Sequence, residues 1–98
     1  MVRWSARAKK ELREIGRYIA ADKPVAGRMW VKQLRKQARD ASKTPMLGRV
    51  VPEYGRTNVR EVFLRSYRII YRVADDGIWV LSVLHGSMIL RDVDPNAE

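Results

Sequence analysis

Four arginines, Arg60, Arg65, Arg68 and Arg72, are spaced through the segment REVFLRSYRIIYRV, with Glu61 among them and the chain's single histidine, His85, downstream. Guanidinium groups stabilise negative charge on a phosphate, and a histidine or carboxylate can move the proton that phosphodiester cleavage must shift. Arg68, Arg65, Glu61 and His85 are therefore the candidate catalytic residues for such a reaction. Other chemistries lack their parts. There is no glycine-rich phosphate loop, and one histidine with scattered serines makes no nucleophilic triad. Without cysteine there is neither a disulfide framework nor a thiolate metal site. No cofactor and no metal are expected.

The arginine segment and its neighbours are rich in β-branched and aromatic residues, which predicts strands over about 58–65, 67–74 and 78–85. On a strand, Arg68, Ile70 and Arg72 share one face while Tyr67, Ile69, Tyr71 and Val73 share the other. The Tyr/Ile/Val face is the one expected beneath a helical layer, leaving the Arg68 face looking out of the sheet. Asp76-Gly77 is a strong hairpin signal, because both central residues of a type I′ turn need positive φ. A turn there opposes Tyr71 to Ser82, Ile69 to Leu84 and Arg68 to His85, which puts the histidine beside the arginine. The last strand, IWVLSVLHG, is apolar on both faces except at Ser82, so it is expected to be covered on both sides.

The elements upstream are helical. Met1 to Trp4 reads as a short strand, and Ser5 suits an N-cap before a helix over about 6–20. Ala8, Leu12, Ile15 and Ile19 form its apolar stripe. Pro24 opens a second helical pattern with Ala26, Trp30, Leu34, Ala38 and Ala41 on one side, and the short link between the two makes an antiparallel hairpin. TPMLGRVVPEYG then carries the proline and glycine punctuation of loops and short edge strands. The expected fold is α+β: an N-terminal strand and an antiparallel two-helix hairpin packed on one face of a small, mainly antiparallel sheet. Residues 1–98 are read as a single domain, with the last eight or so loose. Trp4, Trp30 and Trp79 are read as core or interface anchors.

The formal net charge of +9 is unevenly placed. Residues 1–49 hold 14 Lys/Arg against 4 Asp/Glu, whereas residues 50–98 hold 6 against 7. A surplus of this size exceeds what solubility needs and suits a polyanion or an acidic protein. The candidate partner-binding residues are Arg7, Lys10, Arg13 and Arg17 on the first helix, Arg28, Lys32 and Arg35 on the second, and Arg60 and Arg72 on the strands. No apolar run approaches the roughly 20 residues of a membrane span, and the N-terminus lacks a signal-peptide apolar region. A cytoplasmic protein with no membrane partner is expected.

Taken in order, these features resemble the RelE/ParE toxins of bacterial type II toxin–antitoxin systems. The likeness rests on the loop residues Pro45, Gly48, Arg49, Pro52 and Glu53, on REV and YRIIYRV, and on the closing His85-Gly86, and it extends from Trp4 to Leu90. It implies one of two activities. RelE-like members cut mRNA in the ribosomal A site without metal, by attack of a ribose 2′-hydroxyl on the neighbouring phosphate; ParE-like members poison DNA gyrase. Arg68 is similar in position to a phosphate-contacting arginine of the nuclease branch. Glu61 and Phe63, however, stand where that branch often carries lysines, and HGSMILRDV offers no tyrosine. The wording of GRVVPE and YRIIYRV resembles the ParE branch more closely, although Ser87 and Met88 follow His85-Gly86 where an arginine is common. The resemblance thus implies a gyrase inhibitor that arrests growth and stabilises plasmids. It also implies a cognate antitoxin in a hetero-oligomer, and operator DNA reached indirectly through that antitoxin. The alternatives are a ribosome-dependent ribonuclease, acting on ribosome and mRNA, and a basic interaction module without toxin activity.

Overall fold

The computed structural model describes residues 1–98. Its elements are β1 (Val2–Trp4), α1 (Ala6–Asp22), α2 (Pro24–Lys43), a 3₁₀ turn at Pro45–Leu47, β2 (Arg49–Val50), β3 (Val59–Leu64), β4 (Tyr67–Ala74) and β5 (Gly77–His85). The strands form one sheet in the order β1-β5-β4-β3-β2. All neighbours run antiparallel except β1, which lies parallel to β5. This is the α+β arrangement that the sequence predicts, with both helices on one face.

Ser5 starts α1 as expected: its hydroxyl accepts from the Ala8 amide at 3.1 Å and donates to the Leu81 carbonyl at 3.1 Å. The cap thereby ties the helix to β5 as well as satisfying an orphan amide. α1 continues two residues beyond the expected end, and only Lys23 separates it from α2, whose Pro24 occupies a first-turn position that needs no amide. The helices close together at Gly16 and Gly27. A Cβ on Gly27 would lie 2.7 Å from both the Ala20 Cβ and the Gly16 carbonyl oxygen, so a larger residue would separate them.

One apolar cluster lies between helices and sheet, built from Ala8, Leu12, Leu34 and Ala38 above and Ile69, Tyr71, Ile78, Val80 and Val83 below. The Tyr/Ile/Val face of β4 therefore packs under the hairpin, as alternation predicts. The opposite face corrects the expectation that Arg68 looks out of the sheet. There Val51, Val59, Ile70, Leu81, Leu84 and Val93 form a second buried cluster, with Tyr54, Trp79 and Leu90 against it. The loop after β2 and the C-terminal segment cover this face: the Tyr54 hydroxyl donates to the Val93 carbonyl, and Arg72 donates to the Ala97 carbonyl at 3.3 Å. Burial of β5 on both sides requires such a cover.

The β4–β5 register also differs from expectation. Ala74 pairs with Gly77 and Tyr71 with Val80, so the two turn residues are Asp75 and Asp76. Gly77 follows them at φ +148°, and a Cβ there would meet the Met1 carbonyl oxygen at 1.8 Å. The glycine is thus required one position later than a type I′ turn would use it, to admit the N-terminal strand. A bulge then follows, because beyond Ile70/Tyr71 the partners shift to Ile70 with Ser82 and Ile69 with Val83. Glu11 of α1 secures it, accepting from Ser82 Oγ at 2.8 Å and from the Val83 amide at 3.2 Å. The outcome is that His85 pairs with Tyr67, and Arg68 with Leu84.

Candidate functional site

Arg68 lies near the middle of the sheet on the face covered by the loop and the C-terminal segment, and it is buried. Its Nε donates to Glu61 Oε1 at 2.7 Å, and its two terminal nitrogens donate to the carboxylate of Glu53 at 3.1 Å each. Glu61, fully buried on β3, also accepts from Arg49 Nε at 2.8 Å. Edge pairing of β2 with β3 places Arg49 directly opposite Glu61, and the turn after β2 delivers Glu53 from the other side. The result is a quartet of two guanidinium and two carboxylate groups, balanced in charge. Hydrogen bonds from Arg68 hold the Glu53 carboxyl below its usual range. The bonds to Glu53 and then Glu61 raise the pKa of Arg68, keeping it charged.

This arrangement brings Arg68 and Glu61 together but separates them from the other two catalytic candidates. The His85 ring lies on the helix side, edge-on to Tyr67 with centroids 5.6 Å apart, and its Nδ1 is 2.6 Å from Ser87 Oγ. The expected neighbourhood of Arg68 and His85 fails because the turn and bulge shift the register by one residue. Arg65 occupies the β3–β4 turn at φ +52°, with its guanidinium 5.7 Å from the Trp30 ring centroid. Three faces or ends of the sheet thus hold what the sequence placed in one cluster.

The strand arginines proposed as partner contacts are engaged within the fold. Arg60 donates to the carbonyls of Thr57, Met46 and Gly48 at 2.8 to 3.0 Å, fastening the segment that precedes β2. Arg72 reaches Ala97 and lies over Trp79. On the helices, Arg7 donates to the Asp92 carbonyl at 2.9 Å and approaches Glu11 at 3.5 Å, and Lys10 approaches Glu14 at 3.9 Å. Arg13, Arg17, Arg28, Lys32 and Arg35 are exposed and have no carboxylate within ion-pairing distance.

Sequence reasoning missed one further feature, a groove of about 380 Å³ between α1 and the end of β5. Ile15, Tyr18, Tyr67, Val83, Leu84 and Met88 supply its apolar wall, and His85 stands at its rim with Glu11 and Glu14. Tyr18 and Met88 remain 81% and 60% exposed and line the same groove, and contiguous exposed apolar surface of this kind marks a binding site. The signal in the sequence was Tyr18, which falls outside the Ala8, Leu12, Ile15 and Ile19 stripe. No group of acidic, histidine or cysteine side chains is arranged to hold a metal ion.

The comparisons agree with this architecture. Residues 2–90 match the family model described as ParE toxin of type II toxin-antitoxin system, parDE. A solved structure described as the chromosomal ParDE TA system from P. aeruginosa is similar in fold, with a TM-score of 0.71 and 18% identity, covering 86% of this chain and 92% of that one. At that identity the likeness concerns the fold alone. A search of curated proteins gives no match.

Proposed function

Because the chain belongs to the ParE toxin family of type II toxin–antitoxin systems, we propose that it inhibits DNA gyrase by binding, and that its cognate antitoxin neutralises it. The observation that carries this reading is the condition of Arg68. A ribonuclease acting at this sheet needs a cation free to meet the scissile phosphate and a proton-transfer group within hydrogen-bond reach of the reacting atoms. All three nitrogens of Arg68 instead donate to Glu53 and Glu61, and His85 lies across the sheet. Replacing those carboxylates with a phosphate would leave Glu61 buried with one of its two cations lost, at a cost of several kcal/mol. Binding without chemistry needs no such rearrangement.

A toxin of this kind implies an antitoxin, and the groove beside Tyr18 and Tyr67 suits the apolar side of an amphipathic helix from it. An antitoxin tail that folds on contact would cover Tyr18 and Met88, while acidic residues in it would be drawn by the basic hairpin. Operator DNA would be bound through the antitoxin. Release from the antitoxin would arrest growth in the cytoplasm, and a plasmid encoding both partners would thereby be maintained.

The test pairs two assays on the purified toxin: gyrase supercoiling with detection of cleaved DNA, and translating ribosomes carrying a reporter mRNA. Lost supercoiling or trapped cleaved DNA with intact mRNA supports gyrase inhibition. Cuts in the ribosomal A site that vanish in Arg68→Ala refute it in favour of the ribonuclease. Inactivity in both assays, with normal growth on expression, leaves a basic interaction module.

A further inference from the structure

The cations of the helical hairpin divide into two sets. Arg7 and Lys10 pair with Glu11 and Glu14 on one flank of α1, and Lys36 and Lys43 share Asp40 on α2. Lys9, Arg13 and Arg17 of α1 form no ion pair and no side-chain hydrogen bond, and the same holds for Arg28, Lys32, Arg35 and Arg39 of α2. All seven are exposed.

These unpaired cations are ordered in space. At 3.6 residues per turn, Arg28, Lys32, Arg35 and Arg39 fall within about 60° of arc and extend about 16 Å along α2. Lys9, Arg13 and Arg17 fall within about 80° on α1 and extend about 12 Å. The two rows meet across one groove of about 370 Å³, where Arg13 and Arg17 face Arg28 over Gly16, Gly27 and Val31. Arg35 and Arg39 continue the α2 row toward β1, beside Val2 and Trp4. Close approach of the helices at the two glycines makes one basic face out of two stripes.

We infer that this outer face of the α1–α2 hairpin is a contact surface for the phosphate backbone of duplex DNA, held without reading its sequence. Two rows of unneutralised cations, spaced about one helical turn along each row, match a partner whose charges repeat regularly along two strands. Five of the seven are arginines, whose planar fork suits phosphate oxygens. An acidic protein would also answer the charge, but no aromatic side chain lines the groove, and protein interfaces rely on such anchors at their centre. The apolar groove at Tyr18 lies on the other flank of α1, so filling that groove does not by itself cover the basic face. The inference goes beyond gyrase inhibition and does not depend on it: a toxin acting on any DNA-bound target would be concentrated at that DNA by the same face.

The experiment measures fluorescence anisotropy of a labelled random-sequence duplex with the full chain alone, with no gyrase present. If about six phosphates are contacted, log K against log salt has a slope of about −5, and affinity falls on the order of a thousandfold between about 50 and 200 mM salt. The variant Arg13→Gln/Arg17→Gln/Arg28→Gln is expected to flatten that slope by about 3, whereas Arg56→Gln/Arg65→Gln/Arg91→Gln, equal in charge change but distant from the face, leaves it within about 1. Circular dichroism of both variants checks that they fold. Equal slopes for the two variants, or no duplex binding at low salt, overturn the inference. Tighter binding of a poly-glutamate peptide than of duplex at equal salt reassigns the face to an acidic protein, and tighter binding of an RNA duplex overturns the assignment to DNA.

Discussion

Replacing Arg68 with methionine removes the one cation that joins both carboxylates of the buried quartet. Glu61 is fully buried and would keep only Arg49, which is itself 60% exposed. Glu53 is 41% exposed and would recover hydration, so its loss contributes little. Nearly all the cost thus falls on Glu61, and removing one partner of a buried ion pair costs about 3–5 kcal/mol. The surviving Arg49 contact points to the lower end, about 3 kcal/mol, against a total stability of about 5–15 kcal/mol for a domain of this kind. The variant should therefore fold and melt roughly 12–24 °C lower. Arg68→Met/Glu61→Leu should recover a large part of that loss, because neither buried charge is then left alone and Arg49 and Glu53 both reach solvent. Urea denaturation of the single and double variants with unchanged m-values gives the coupling directly. A single variant within about 1 kcal/mol of the parent, or a double variant less stable than the single, would refute a structural role for the quartet. If the recovered double variant also still inhibits gyrase, Arg68 acts through the fold and not through chemistry.

Acid should loosen the same site. The folded-state pKa of Glu53 is lowered by the Arg68 hydrogen bonds from an ordinary value of 4.5, so its contribution is fully present above about pH 4.5 and is lost as pH falls through the lowered value. Partial exposure keeps the contribution below about 1 kcal/mol. Thermal melts from pH 6 to 3 should show a steeper decline for the parent than for Glu53→Gln, and parallel curves would exclude the contact. At the helix crossing, Gly27→Ala gains helix propensity of about 1 kcal/mol but forces a Cβ to 2.7 Å from the Gly16 carbonyl oxygen. Overpacking costs about 1–3 kcal/mol, so a net loss is expected in urea unfolding, and a stabilised variant would contradict the close crossing.

Local periodicity carried most of the fold. The apolar stripes of Ala8, Leu12 and Ile15 and of Leu34, Ala38 and Ala41 were legible because a helix repeats its faces every 3.6 residues and nothing else in the chain competes with that pattern. Alternation likewise separated Ile69 and Tyr71 from Arg68 and Ile70, since adjacent strand residues point to opposite faces. The hairpin register was not legible. β5 is apolar on both sides, so its sequence contains no alternation to reveal the bulge at Leu81, and ADDG holds two overlapping candidate turns. What Gly77 must admit is the backbone of Met1, 76 positions earlier, which no local pattern records.

The candidate site divides along the same line. Residue types alone established that the chain is basic, that its first half carries the surplus, and that it holds no thiol, because these depend only on which side chains are present. Which cations are free is a property of neighbours brought from far along the chain. Arg68 is neutralised by Glu53 across a loop and Glu61 across a strand pair, Arg60 is occupied by loop carbonyls, and Arg7 by the carbonyl of Asp92. Arg13, Arg17 and Arg28 are left without partners by the helix crossing at Gly16 and Gly27, which gathers them on one face and turns Glu11 toward the sheet. Charge is written in the sequence; its availability is decided by the distances that only the folded chain sets.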